Sequence, residues 1–262
     1  MNCPKVALAG LAAIVMCSGV TADAAEIRVL ASGSLKGALS QLAPDFQKSS
    51  GNVAMVEYGP AGAIMGRIQN NDAADVVIVS RSQIEKLQSG GKVLPESLVD
   101  VAGIALGVAV RIGAPKPDIS TVEAFKRSLL AARSIGYRDP ATGSTSGTYA
   151  ANLLERLGLA EDLKPKLRLD RTEGDVPENV FLAVARGEIE MQIGQITEIV
   201  IAPGVELAGP LPGEIQNTTV MTAGIVATSK APDAARAFIR FISSPSARSV
   251  LKATGFQTVN EN

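Results

Sequence analysis

The feature that most constrains this chain is a repeated unit of short apolar strand, small polar turn and helix. Residues 27–31 read as a strand that Ser32-Gly33-Ser34 turns into a helix from about Leu35, and residues 53–58 read as a second strand, followed by Gly59-Pro60-Ala61-Gly62 and a helix over 63–70. Residues 74–79 form a near-continuous apolar run, as suits a parallel strand covered on both faces, and Ser80-Arg81-Ser82 leads from it into a further helix. Parallel strands joined by helices deliver such turns to one edge of a sheet, where the ligands of open α/β folds collect. The alternation resumes after the break Gly113-Ala114-Pro115-Lys116-Pro117, with a helix near 122–132, strands near 135–138, 167–169 and 191–195, and helices over 149–157 and 178–186. Two long β-like runs, 102–111 and 218–228, bracket this middle portion. Read as crossover strands, they divide the chain into one lobe of residues 25–105 plus 225–262 and another of residues 110–215. The fold class is α/β, two-lobed, with a cleft.

The richest of the turns runs from Ile135-Gly136-Tyr137-Arg138-Asp139-Pro140 through Ala141-Thr142-Gly143-Ser144-Thr145-Ser146-Gly147-Thr148 to Tyr149. Gly143 and Gly147 permit close backbone approach, five hydroxyls can donate, and the helix that follows offers free N–H groups to negative charge. Arg138 adds a planar fork suited to a carboxylate or another oxyanion. Together these residues form an anion cradle.

Composition narrows the chemistry. Among 262 residues there is no histidine, so Ser-His-Asp, Cys-His and His-based metal chemistry are excluded, and any proton transfer falls to Asp, Glu, Lys or Tyr. A formal net charge of -1 gives no basic excess for nucleic acid. Lys5, the small apolar run over 6–20 and Thr21-Ala22-Asp23-Ala24-Ala25 read as an export signal at 1–24, cleaved after Ala22 or Ala24. Cys3 and Cys17 both lie within it, which leaves the mature chain without thiol chemistry. A periplasmic protein with no membrane insertion after signal removal is expected.

Several segments together carry a resemblance. They are Ala31-Ser32-Gly33-Ser34-Leu35, Asp75-Val76-Val77-Ile78, Asp139-Pro140 with its Gly/Ser loop and Tyr149-Ala150, and a C-terminal stretch. That stretch runs Phe238-Ile239-x-Phe241-Ile242-Ser243-Ser244-Pro245-x-Ala247 and ends in Gly255-Phe256. The pattern resembles the periplasmic molybdate-binding protein family, which consists of type II solute-binding proteins, and it covers essentially the whole chain beyond the leader. The resemblance implies two lobes closing on an anion held by neutral donors from five loops. Ser34 falls where the family's first serine is expected, Ala61 beside Gly62 where its second should be, and Gln195 where it has a tyrosine hydroxyl. Ser146 and Val176 fall on positions that act through backbone N–H, with Ser144 and Thr145 beside the former.

Two of three side-chain donors are thus altered, and Arg81 and Arg138 add guanidinium groups that the molybdate pattern lacks. Two such groups suit a substrate with several spread carboxylates. In this the chain is similar to aconitate isomerase, an enzyme that resembles the same family. The likeness implies a small tricarboxylate substrate and an allylic proton shift between trans- and cis-aconitate. Candidate proton carriers are Lys36, one turn beyond Ser34, Tyr149, and a carboxylate such as Glu173 or Glu198. No metal or organic cofactor is called for. The alternative is a receptor for molybdate or an organic anion, delivering to an ABC permease without chemistry.

Overall fold

The computed structural model describes residues 24–171 and 181–259. The expected leader lies outside them apart from Ala24, and Glu173 and Val176 also fall outside. No helix among the described residues is long and apolar enough to cross a membrane.

Two five-stranded sheets organise the chain. The first contains β1 (Glu26–Ser32), β2 (Val53–Gly59), β3 (Val76–Ser80), β4 (Val99–Ile104) and β10 (Thr219–Ile225), in the order β2-β1-β3-β10-β4. The second contains β5 (Leu106–Arg111), β6 (Ile135–Arg138), β7 (Leu167–Asp170), β8 (Met191–Gln195) and β9 (Val205–Pro210), in the order β7-β6-β8-β5-β9. The two orders are equivalent. Each sheet has three parallel strands, then an antiparallel strand contributed by chain crossing from the other sheet, then an edge strand.

The outward crossing takes place at Ala105 alone, between β4 and β5, and the return runs through residues 211–218 between β9 and β10. The run over 102–111 therefore divides into the end of β4 in the first sheet and β5 in the second, and the run over 218–228 supplies β10 of the first sheet alone. The reason is that a strand's N–H and C=O groups must be paired where they are buried, and each of these strands finds its partners within one ladder.

Packing follows the strand period of two. In the first lobe Ile27, Val29, Ala31, Val76 and Ile78 face one core with α1 (Lys36–Ser50), while Leu30, Val77 and Val79 face another with α2 (Ala61–Gln69) and α3 (Arg81–Ser89). Both faces of β3 are covered, which is why its sequence shows no polar alternation. In the second lobe Val108, Ile135, Met191 and Ile193 pack with α4 (Val122–Ala131), α5 (Thr145–Arg156) and α6 (Ala160–Leu163). The opposite face is covered by α7 (Leu182–Ala185) and α8 (Ile196–Ile199). The chain closes with α9 (Pro232–Ile242) and α10 (Pro245–Ala253), both packed back on the first sheet's core.

Asp75 ties this first lobe together. Its carboxylate accepts from the Arg28 amide at 2.9 Å, the Ser229 hydroxyl at 2.7 Å and the Lys230 amide at 3.1 Å, joining β1 to the loop before α9. Burial alone would push its carboxyl up, but the Arg28 amide, the Ser229 hydroxyl and the Ala231 and Lys230 amides outweigh that and hold it below its ordinary 3.8. A depressed carboxyl contributes stability that is present above its unfolded value and lost as pH falls through the folded one. Asp75→Ala is therefore expected to cost about 3 kcal/mol at pH 7, with the gap to wild type narrowing below about pH 4. Melting curves of both proteins at neutral and acid pH check this, and a gap that widens on acidification would refute it.

Candidate functional site

Four strand ends supply the site. β1 ends at Ser32, whose hydroxyl lies 3.2 Å from that of Ser34 in the buried turn before α1. β2 ends at Gly59, and Pro60 leads straight into α2 at Ala61. In the other sheet β6 ends at Arg138 and β8 at Gln195, the residue from which α8 starts. These ends meet around an interlobe cavity. The first lobe lines it with Ser32, Pro60 and Ala61, the second with Arg138, Ser144, Thr145, Ser146, Gln195 and Glu198.

The loop from Arg138 to α5 is held by its own polar groups. Asp139 accepts from the Ala141 amide at 2.9 Å and from Arg171 Nε at 2.7 Å. The Ala141 amide first, then the Arg171 guanidinium, keeps the Asp139 carboxyl below its usual range, so it stays ionised as a brace. Gly143 takes a left-handed φ of 77° that favours glycine, and Ser144 then caps α5 by accepting from the Gly147 amide at 3.2 Å. The Ser144 and Ser146 hydroxyls lie 3.1 Å apart. The first turn of α5 thus presents hydroxyls and free amides at the cavity, where the helix dipole favours negative charge.

Gly147 is what lets that turn sit there. A Cβ at this position would overlap the Arg138 carbonyl oxygen and stand 2.9 Å from its carbonyl carbon. Arg138 itself is 4% exposed, and its Nη1 lies 4.0 Å from Asp170 Oδ2, its register partner on β7. The cradle and the guanidinium therefore belong to one rigid corner.

Not every residue expected at the site reaches it. Ala61, Arg138, Ser144, Thr145, Ser146 and Gln195 line the cavity, and Ser34 stands one hydroxyl behind, against Ser32. Gly62 meets Gly143 across the gap, backbone against backbone, so that a Cβ on Gly143 would lie 3.2 Å from the Gly62 Cα. Val176 and Glu173 lie outside the described residues.

Three of the expected residues are not among those that line this cavity. The Arg81 guanidinium is half-exposed and paired with Asp100 on β4 and with Glu85 one turn along α3, and Asp100 also accepts from Thr222 on β10. The crossing strand β10 brings that acidic edge within reach, so the charge is satisfied inside the first lobe. Lys36 is absent from the described residues that line the cavity, where Ser32 stands instead. Tyr149 donates its hydroxyl to the Ile215 carbonyl at 2.8 Å, with Arg156 over its ring, and so pins the return crossing to α5. The lining also includes Ser32 and Pro60, and, of the two candidate carboxylates, Glu198. Gln195 is the N-cap of α8 and Glu198 its third residue, so both stand at the start of the same short helix.

The space between these residues is about 30 Å3, room for one or two waters.

Known proteins share this architecture. The sequence pattern of the family described as bacterial extracellular solute-binding protein matches residues 27–257. The chain is 34% identical over 240 residues to the aconitate isomerase of a Pseudomonas species, covering 89% of this chain and 88% of that protein. It is 26% identical over 239 residues to the molybdate-binding protein ModA of Azotobacter vinelandii, covering 90% and 91%. Among solved structures, the periplasmic molybdate-binding protein of Azotobacter vinelandii superposes with a TM-score of 0.74 at 21% identity, covering 89% of this chain and 100% of that one. The sulfate-binding protein of Mycobacterium tuberculosis H37Rv also reaches 0.74, at 19% identity, covering 90% and 88%. With a family match across nearly all of its described length, this chain belongs to the bacterial extracellular solute-binding proteins.

Proposed function

We propose that this protein is an aconitate isomerase of the periplasm, interconverting the trans and cis isomers by an allylic proton shift. The observation that carries the reading is the buried Arg138 guanidinium, set among hydroxyls and helix starts in a site where the molybdate pattern has neutral donors only. A fixed cation there suits a carboxylate, and Ala61 and Gln195 replace two hydroxyls that a tetrahedral oxyanion would use. The 34% identity to an aconitate isomerase over most of both chains supports the same substrate class. With Arg81 held by Asp100, one guanidinium faces the guest, and its remaining carboxylates fall to Ser32, Ser144, Ser146 and the first turns of α2 and α5.

The reaction removes a proton from the methylene carbon, moves the double bond by one carbon and returns a proton to the far end of the three-carbon system. Charge developing on the flanking carboxylate as an enolate is stabilised by Arg138 and by the hydroxyl and amide donors fixed around it. Opening at Ala105 and at residues 211–218 would admit the substrate, and reclosure would exclude water from the reacting carbons.

A second reading, an importer's receptor without chemistry, draws on the similarity to molybdate-binding proteins. One assay separates the two. Purified protein incubated with trans-aconitate is expected to yield cis-aconitate by chromatography. A melting temperature raised by micromolar molybdate, with no response to tricarboxylates and no product, would establish the receptor instead.

A further inference from the structure

Resting on the isomerase reading, we propose that Glu198 is the catalytic residue that takes the methylene proton and returns a proton to the substrate. Among the described residues that line the cavity, the charged side chains are Arg138 and Glu198, the remainder being serines, a threonine, a glutamine, an alanine and a proline. A guanidinium keeps its proton throughout the physiological range, and neutral hydroxyls and amides are too weakly basic to take one from carbon.

The other described candidates stand away from this wall, and Glu173 lies outside the described residues. The Tyr149 hydroxyl is committed to the Ile215 carbonyl, and neither Tyr58 nor Tyr137 lines the cavity. Burial pushes the Tyr58 phenol up to about 12 and, with Asp139 and Glu155, raises that of Tyr137. Asp139 is held ionised by Ala141 and Arg171. Glu198 is 7% exposed, fixed in the one turn of α8 that follows β8, and shares its wall with Gln195. Its presence has a cost. A carboxylate beside a tricarboxylate repels it, which a receptor has no reason to keep and a proton-transfer enzyme does.

The step balances without a co-reactant. A Glu198 carboxylate oxygen forms an O–H bond as the methylene C–H breaks, and the released pair becomes the new double bond while the old one shifts its electrons to the far carbon. That carbon takes a proton from the Glu198 carboxylic acid, which restores the carboxylate.

The test compares whole wild-type protein with Glu198→Gln and Glu198→Asp. Three readouts are used: isomerisation rate, exchange of the trans-aconitate methylene hydrogens with D2O by NMR, and trans-aconitate binding by calorimetry. Glu198→Gln is expected to lose about 10^2- to 10^4-fold in both rate and exchange, to bind trans-aconitate at least as tightly as wild type, and to be partly rescued by Glu198→Asp. Exchange and turnover within tenfold of wild type would overturn the assignment, as would loss of binding and activity together. A wild type that binds trans-aconitate and never converts it would instead remove the isomerase reading itself.

Discussion

Gly147→Ala is expected to dismantle the site and destabilise the second lobe by about 3 kcal/mol or more. The new Cβ would collide with backbone rather than with the movable end of a side chain: the Arg138 carbonyl group, with the Arg138 Cβ only 3.2 Å away. That carbonyl cannot retreat, because Arg138 is in register with Asp170 and the next amide, Asp139, donates to the Asp170 carbonyl at 2.9 Å. The helix cannot retreat either without breaking the Ser144 cap and drawing Ser144–Ser146 away from Arg138. Gly66 offers a matched control within α2, since nothing lies within 4 Å of the point where a methyl group on it would stand, and Gly66→Ala is expected to be neutral or to stabilise by up to about 1 kcal/mol. Thermal melts and trans-aconitate titration of both variants measure the contrast. A Gly147→Ala protein that melts and binds like wild type would mean that the cradle and the β6 end are not packed as described.

The same corner explains what could be read from residues alone. Arg138, Ser144, Thr145, Ser146, Ala61 and Gln195 were legible because each lies at the carboxyl end of a strand or the start of the following helix, and sheet topology sends those positions to one edge. Arg81 satisfies the same local rule, yet its charge goes to Asp100, nineteen residues on, because an antiparallel strand from the far end of the chain lies between β3 and β4. No window around Arg81 contains that information. Tyr149 likewise answers to Ile215, sixty-six residues away. The run over 102–111 conceals the switch of sheets at Ala105, since residues on both sides of it are apolar and buried. Glu198 was among the candidate carboxylates, but it sits in a helix of one turn, too short for a hydrophobic period to register, so residues alone gave no ground for choosing it over Glu173.

Arg138 is where binding of a carboxylate substrate is expected to concentrate, and its replacement should separate charge from geometry. Arg138→Met removes a buried cation of similar length, and with it the paired donors that a carboxylate would accept. Trans-aconitate affinity is expected to fall by about 2–4 kcal/mol, roughly 30- to 1,000-fold in Kd. Arg138→Lys keeps the charge but loses the planar fork, and should recover only part of that loss. Because the guanidinium also lies 4.0 Å from the buried Asp170 carboxylate, removing it lowers the stability of β6 and β7 as well, so binding must be compared at a temperature where circular dichroism shows both variants folded. The salt dependence gives an independent reading: a pair enclosed between the lobes is screened far less than a surface charge, so the gap between wild type and Arg138→Met should persist at high ionic strength. Equal affinity in the two proteins, or a difference that salt abolishes, would place the substrate's carboxylates away from Arg138 and leave the oxyanion receptor as the better account of this cavity.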